Sequence, residues 1–257
     1  MPDREGSASG SAAGEPDTGP VLGVFAHPDD AEIAAGGTLA AWVAAGREVH
    51  LFILTNGDRG STDPALDREE LAATRKVETE AAAGMLGLAS ARILGVHDGE
   101  LQNVPEVREA VVRRIREVRA ETVLTVDPTA VFFEVPREGG GGTRSVFNHT
   151  DHRTAGAIAL DAVFPGSGNP HFFAEHLAEG LPVQEVHDVW LGWTNEPNHV
   201  QDITDHFDTK VEALGCHASQ LADGIRFWNE WMREEAKVAG ARIGAGLAEE
   251  FRVLDLS

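Results

Sequence analysis

Short apolar runs alternate along the chain with longer stretches that are rich in alanine. The runs Val21 to Phe25 and Thr122 to Val126 have the length and composition of fully buried strands. Strands that alternate with helices are typical of an α/β fold, a three-layer sandwich with a mostly parallel central sheet. The pattern predicts strands at residues 21–25, 48–54, 92–94 and 122–126, and helices at 31–45, 67–86, 105–119 and from about 150 to 163.

The pattern is less regular in two places. Residues 127–148 contain four consecutive glycines at 139–142, so we expect no regular element there and a segment long enough to act as a mobile lid. In the last third, the pattern predicts strands at 186–193 and 200–203, helices at 205–221 and 226–238, and a final edge strand at 250–256.

Length and composition predict one domain at residues 21–257, because a chain of 257 residues can bury a full two-sided sheet. Residues 1–20 are small and polar and lack the regions of a secretion signal, so we expect a disordered tail. No apolar run reaches the length of about 18 residues that a membrane span needs. We therefore expect a cytoplasmic protein without membrane contact.

The chain is strongly acidic, with a formal net charge of -21 from 42 acidic and 21 basic residues. Such a field repels phosphates, and no local basic patch opposes it, so a nucleic-acid partner is not expected. Cys216 is the single cysteine, which excludes an intrachain disulfide and a cysteine-based zinc cage. Any metal would have to be bound by histidine and carboxylate side chains.

Two polar motifs have the residue types of a metal site. His27, Asp29 and Asp30 follow the first strand, where a histidine and a carboxylate three residues apart can face one point. The run His149-Thr150-Asp151-His152 supplies two imidazoles and a carboxylate that can orient one of them. Helix capping by aspartate would explain part of each motif but not the full set.

The position of these motifs strengthens the prediction of a metal site. Ligands bind outside the carboxyl ends of the strands in open α/β sheets. The loops at residues 27–30, 56–61 and 97–100 and the approach to His149 all follow predicted strands. We therefore expect them to converge on one rim of the sheet.

The chain resembles the PIG-L/LmbE-like zinc deacetylases over roughly residues 21–222. The matching runs are Ala-His-Pro-Asp-Asp-Ala-Glu at 26–32, Thr-Asn-Gly-Asp-Arg-Gly-Ser at 55–61, Arg-Lys-Val-Glu at 75–78 with Leu-Gly at 86–87, His-Thr-Asp-His at 149–152 and His-Ala-Ser-Gln at 217–220. The resemblance implies a Rossmann-like fold, one Zn²⁺ per chain and hydrolysis of an N-acyl group, an acetyl group foremost. The implied substrate is an amino-sugar-type small molecule such as an N-acetylglucosamine derivative.

The resemblance also implies roles for individual residues. His27, Asp30 and His152 match the zinc ligands, with a position left open for water. Asp29 matches the general base, and His149 matches the second catalytic histidine, which protonates the leaving amine or stabilises the oxyanion.

Three further positions match residues around the family's site. Asp151 would orient an imidazole and raise its basicity. Arg75 and Asp98 match the residues that hold sugar hydroxyls. Both have local alternatives, because Arg75 could pair with Glu78 or Glu80 on its own helix and Asp98 could cap a turn.

Phe147 departs from the mycothiol-related branch of the family. That branch has an oxyanion-stabilising tyrosine two residues before the catalytic histidine, whereas this chain contains no tyrosine. His217 leaves two roles open, near the site or at a subunit contact. The aromatic residues Phe227, Trp228 and Trp231 favour a core or oligomer face over a sugar platform, so a homo-oligomer is one expected state.

Other functions fit parts of the sequence. The same site would serve an amidase on thiol-sugar conjugates or a tailoring deacylase in natural-product biosynthesis, and iron or cobalt could occupy the same ligands. A non-catalytic metal-binding scaffold and a nucleotide-binding Rossmann-like module are alternatives of another class. The nucleotide module is disfavoured because His-Pro-Asp-Asp occupies the turn where a dinucleotide site has Gly-x-Gly-x-x-Gly.

Overall fold

The computed structural model of the chain describes residues 19–136, 142–222 and 224–257. Its strands are β1 Val21–Phe25, β2 Val49–Thr55, β3 Ser90–Val96, β4 Thr122–Val126, β5 Phe132–Pro136, β6 Thr143–Phe147, β7 Asp188–Gly192, β8 His199–Asp202 and β9 Ala248–Asp255. Its α-helices are α1 Asp30–Ala44, α2 Arg68–Leu86, α3 Pro105–Val118, α4 Thr150–Asp161, α5 Glu175–Ala178, α6 Phe207–Gly215 and α7 Gly224–Ala241. A π-helical turn, Ala162–Ser167, extends α4, and a 3-10 turn, Ala218–Gln220, follows α6.

The central sheet has seven strands in the order β3-β2-β1-β4-β7-β9-β8. The first five pair in parallel, whereas β9 runs antiparallel to both β7 and β8. Every residue of β1, β2 and β4 is buried, as strands covered on both faces require. The predicted α/β sandwich with a mostly parallel sheet is confirmed.

Helices cover both faces of this sheet. On one face, α3 and α4 pack Ile115 and Ile158 into one apolar cluster with the strands. On the other face, α1 and α2 contribute Leu39 and Leu86 to a second cluster, and α6 packs there as well. Helix α7 lies outside α6 and closes a third cluster that contains Phe207 and Met232. None of the helices in the described parts of the chain combines the length and apolarity needed to cross a bilayer.

The structure corrects two predictions. β9 is not an edge strand, because β8 pairs along its outer side; alternating apolar residues predict an antiparallel strand but not its place in the sheet. Residues 127–148 are not free of regular structure, since β5 and β6 form an antiparallel hairpin with Phe132 opposite Phe147. Cross-strand pairing stabilises these strands despite the glycine-rich composition between them. The mobile lid expected within residues 127–148 stays a prediction, since residues 137–141 of that segment lie outside the described residues, as does the tail expected at 1–20 apart from Gly19 and Pro20.

Helix α1, which starts at the rim of the sheet, is kinked at Ala35 (φ -151°). The carbonyl of Ile33 accepts a hydrogen bond from Lys210 Nζ at 2.9 Å, and the N–H of Gly37 donates to Glu249 Oε1 at 3.1 Å. An undistorted helix would pair these two groups with each other. At the kink, the buried Lys210–Glu249 ion pair (2.6 Å) therefore gives each of these two groups a partner outside the helix and fixes the direction in which α1 leaves the rim.

Candidate metal and catalytic site

The predicted site residues gather at the carboxyl ends of β1 to β4. His27 follows β1, Asp98 follows β3, and His149 and His152 stand at the start of α4, after the hairpin that leaves β4. The rings of His27 and His149 lie 4.7 Å apart, and those of His27 and His152 lie 5.0 Å apart. The convergence expected from the strand order is therefore present.

Donor atoms of three side chains face one another at this point. His27 Nδ1 lies 3.1 Å from His152 Nε2, which lies 3.1 Å from Asp30 Oδ1, and His27 Nδ1 lies 3.5 Å from Asp30 Oδ2. Ligands bound tetrahedrally at about 2.0–2.2 Å are separated from each other by about 3.4 Å, so these spacings fit a cation such as zinc. A nitrogen of His149 lies within 4.8 Å of donors on His27 and His152 and adds a further donor at the edge of the group.

The far side of the His27 ring faces two carboxylates. Its Nε2 lies 3.2 Å from Asp98 Oδ1 and 3.3 Å from Asp151 Oδ2, which also accepts the N–H of Gly99 at 2.6 Å. This arrangement leaves Nδ1 of His27 for the donor group and gives Asp151 the orienting contact that the sequence predicted.

The charge at the rim is unbalanced. Burial by itself lowers the pKa of His27, but the carboxylates of Asp30, Asp151 and Asp98 raise it to about 12. Asp151 Oδ1 is buried and has no hydrogen-bond partner within the described part of the chain. An excess of buried carboxylate favours a positive charge in the pocket, so the chemistry of the donors also fits a metal ion.

Asp29 stands beside the donor group in a left-handed backbone conformation (φ 100°), as the residue that precedes α1. One of its carboxylate oxygens lies 3.3 Å from Arg75 Nη2. Burial, opposed by the Arg75 guanidinium and aided by the Asp30 carboxylate, raises the pKa of Asp29 to about 7. A carboxyl group with a pKa near neutrality can accept and release a proton at neutral pH.

His149 occupies the N-cap of α4, and its Nδ1 accepts a hydrogen bond from the N–H of Asp151 at 3.2 Å. Burial, together with the imidazoles of His27 and His152, lowers the pKa of His149. A neutral imidazole that accepts at Nδ1 carries its proton on Nε2. His149 can therefore present an N–H donor at the edge of the site.

Arg75 is buried inside the rim. It donates to the carbonyls of Pro28 and Gly57, the latter at 3.1 Å, and contacts Asp29. A Cβ at Gly57 (φ 63°) would lie 2.4 Å from Arg75 Nη1, so only glycine allows this approach. Arg75 does not form the alternative pairs within α2, because Glu78 bonds Ser219 instead (2.7 Å) and Glu80 pairs with Lys76.

Several residues around the site were not singled out by the sequence. Asp58 is buried, accepts the N–H of Asp98 at 3.0 Å and contacts His97 Nδ1 at 2.8 Å, so it holds the loop that carries Asp98. The only feature of the sequence that could have indicated Asp58 was its place in the 55–61 motif. The ring of Trp193 lies 4.9 Å from that of His152 in a tilted arrangement, and no local pattern predicts that contact.

The structure also shows the surroundings of His217 and Phe147, whose roles the sequence left open. His217 is fully buried beside Glu32, with 3.4 Å between Nε2 and Oε2 and no hydrogen-bond geometry, which fits a place inside the chain and not a subunit contact. Phe147, which stands where the related branch has tyrosine, is 81% exposed on β6.

Known proteins resemble this chain in both sequence and fold. A diacetylchitobiose deacetylase from Thermococcus kodakarensis is 34% identical over 233 residues, covering 90% of this chain and 82% of that protein. A probable N-acetyl-alpha-D-glucosaminyl L-malate deacetylase 2 from Bacillus anthracis is 27% identical over 234 residues, covering 84% and 92%. The structure of N,N'-diacetylchitobiose deacetylase from Pyrococcus horikoshii, in complex with an inhibitor, matches with a TM-score of 0.80 and 33% identity over 93% of this chain and 85% of that one.

The fold and the rim together define the class: an α/β protein with a mostly parallel central sheet and a His/Asp/His donor group at the carboxyl ends of its strands. The sequence model of the GlcNAc-PI de-N-acetylase (PIG-L) family matches residues 22–163. The chain belongs to this family, and the resemblance noted from its motifs is confirmed.

Proposed function

We propose that this protein is a zinc-dependent hydrolase that removes the acetyl group from an N-acetylated amino-sugar small molecule. The observation that carries the proposal is the donor group of His27, Asp30 and His152, with atoms 3.1–3.5 Å apart and Asp29 beside them. The relatives are named as deacetylases of diacetylchitobiose and of an N-acetylglucosaminyl malate, which supports the substrate class.

In this proposal one Zn²⁺ ion would be held by His27, Asp30 and His152. When bound, it supplies a Lewis acid that activates water for attack and polarises the acyl carbonyl. Asp29 accepts the proton that the water loses, and its pKa of about 7 suits a base that works near neutral pH.

The remaining polar residues act on the acyl group and on the leaving amine. The Nε2–H of His149 donates a hydrogen bond to the developing oxyanion, or passes its proton to the amine as the C–N bond breaks. Asp151 holds the His27 ring through Nε2, so that Nδ1 keeps its lone pair toward the metal. The products are a free amine and acetate.

Arg75 and Asp98 are proposed to bind sugar hydroxyls. The support is their position, since Arg75 contacts Asp29 and Asp98 contacts His27, so a hydroxyl held by either would lie next to the reacting carbon. Arg75 is itself 2% exposed and engaged by backbone carbonyls and Asp29, so its side chain would have to move to reach a substrate hydroxyl.

The organisation of the protein is likewise proposed. One sheet joins the two halves of the chain through β4, β7 and β9, which supports a single domain at residues 21–257. A cytoplasmic location, a homo-oligomer and the absence of a nucleic-acid partner remain predictions from the sequence.

The proposal is tested by incubating the zinc-loaded protein with a panel of N-acetylated amino sugars, including N,N'-diacetylchitobiose, and following products by mass spectrometry. Loss of an acetyl group is expected, and the D29N variant should release it about 10²–10⁴-fold more slowly at the same protein concentration. Cleavage confined to thiol-sugar conjugates would favour the amidase alternative. A metal-loaded protein that leaves the whole panel intact would overturn the proposal.

A further inference from the structure

Asn148 connects the β5–β6 hairpin to the donor group. The residue is 6% exposed and immediately precedes His149. Its Nδ2 donates to the carbonyl of Ala130 at 2.9 Å, and its Oδ1 lies 2.9 Å from His152 Nδ1. Its backbone N–H donates to the carbonyl of Val131 at 2.9 Å, so both its main chain and its side chain are held.

These contacts determine which nitrogen of His152 carries the proton. The Ala130 carbonyl can only accept, so the NH₂ group of Asn148 must face it. The amide oxygen then faces His152 and requires a proton on Nδ1. The lone pair is left on Nε2, the atom that lies 3.1 Å from both Asp30 Oδ1 and His27 Nδ1.

The hydrogen bonds that orient Asn148 start from the end of β4. The N–H of Ala130 donates to the carbonyl of Asp127 at 3.3 Å, and Asp127 Oδ1 accepts from the N–H of Thr129 at 2.8 Å and from its hydroxyl at 2.6 Å. This turn fixes the carbonyl that Asn148 contacts, while the ring of Trp193 lies 4.9 Å from that of His152 at a tilt of 39°. The His152 ring is therefore held at Nδ1 and packed against the indole.

We infer that Asn148 is a positioning residue for the proposed metal centre, where its amide fixes the tautomer and orientation of His152. The inference rests on the proposed function, because it presupposes that His152 binds a metal ion. The partner that orients His152 is thus an amide, whereas His27 is oriented by the carboxylates of Asp98 and Asp151. Loss of such an outer partner lowers metal affinity by roughly 10–100-fold.

Two substitutions separate this role from simple support of the hairpin. N148L removes both side-chain contacts, whereas N148D keeps an acceptor for His152 Nδ1–H, replaces the donor to Ala130 with an oxygen and adds a negative charge. We expect zinc affinity, measured by competition with a chromogenic chelator, to fall about 10–100-fold in N148L. Affinity in N148D should stay within a few-fold of the unmodified protein. N198L, which removes an exposed asparagine bonded to Val253 away from the site, is the matched control and should bind zinc normally.

Equal losses in N148L and N148D would overturn the inference, because they would trace the effect to the Ala130 contact; unchanged affinity in N148L would overturn it as well. If N148L does not fold, long-range ¹H–¹⁵N spectra of the unmodified protein still decide the question, since a proton on Nδ1 of His152 is expected and one on Nε2 would contradict it. Failure of the unmodified protein to bind zinc would instead count against the proposed function.

Discussion

Two buried clusters of charged residues contact α1. One lies at the kink and contains Lys210 and Glu249, and the other lies at the rim, where the helix begins. At the kink, Glu249 accepts from the N–H of Gly37, the N–H of Thr38 at 2.8 Å and the Thr38 hydroxyl at 2.6 Å, and it pairs with Lys210. At the rim, the carboxylates of Asp30, Asp98 and Asp151 contact His27 or His152, and Asp151 Oδ1 has no hydrogen-bond partner in the described chain.

The two clusters differ in whether their charges are satisfied within the fold, and this difference distinguishes a structural cluster from a ligand site. A buried charge is tolerated when a counter-charge and hydrogen bonds within the fold satisfy it, as at the kink. The rim has an excess of carboxylate, which a bound cation would balance. Substitutions at the kink should therefore affect stability, and those at the rim should affect metal binding and turnover.

The largest effect is expected for D29N at the rim. Asparagine also tolerates the left-handed backbone, so the fold is preserved while the base is lost. We expect kcat to fall by about 10²–10⁴-fold, the usual contribution of general acid-base catalysis, with zinc still bound at one ion per chain. Steady-state kinetics and metal analysis of the same sample measure both quantities. Turnover equal to that of the unmodified protein would remove Asp29 from the mechanism.

K210M should have the converse effect, on the fold. It leaves Glu249 buried without its counter-charge, so the free energy of unfolding should fall by about 3–5 kcal/mol in denaturant titrations. Zinc affinity should change far less. K237M is the control, because Lys237 forms an exposed pair with Glu234 and its loss should cost about 0–1 kcal/mol. A loss in K210M no larger than in K237M would show that the kink does not depend on the ion pair.

The comparison also explains what could be predicted from the sequence. The rim was predictable because His27, Asp30 and Asp98 each follow a strand, and parallel strands bring their carboxyl ends together. The kink was not, since Lys210 and Glu249 are distant from α1 in sequence and resemble ordinary surface charges in a linear reading. Asn148 and Trp193 were missed for the same reason, because an amide or an indole acquires its role only from the neighbour that folding supplies.

A smaller effect is expected for D151N. The amide keeps the shape of the side chain but removes the charge that orients His27, so zinc affinity should fall by roughly 10–100-fold. In the metal-free state, D151N should lose less stability than K210M does, because the substitution also removes a negative charge from a cluster that has an excess of them. Chelator competition and denaturant unfolding of the metal-free protein give the two values. A stability loss as large as that of K210M would erase the distinction between the clusters.

The smallest effect is expected for substitution of Asp58, which supports the rim but does not face the proposed metal site. Burial tends to raise its pKa, but the N–H of Asp98, together with Arg68 and His97, holds the pKa of Asp58 below its ordinary value. A carboxyl with a lowered folded pKa stabilises the fold above its unfolded pKa of 3.8 and loses that contribution as the pH falls through the folded value.

D58N should therefore be less stable than the unmodified protein by about 1–3 kcal/mol at pH 7, with a difference that shrinks in acid. Unfolding curves recorded at several pH values test this. A difference that stays constant from neutral pH into acid would mean that the charge of Asp58 is not what stabilises the loop.

The central claim is that the rim is a zinc site for deacetylation, and a zinc titration of the metal-free protein tests it most directly. Acetate release from N,N'-diacetylchitobiose, or from the best substrate of the panel, is measured as zinc is added. The account predicts no release without metal, a linear rise, and saturation at one zinc ion per chain. Release that is independent of zinc, or none at saturation with any N-acetylated amino sugar, would contradict it.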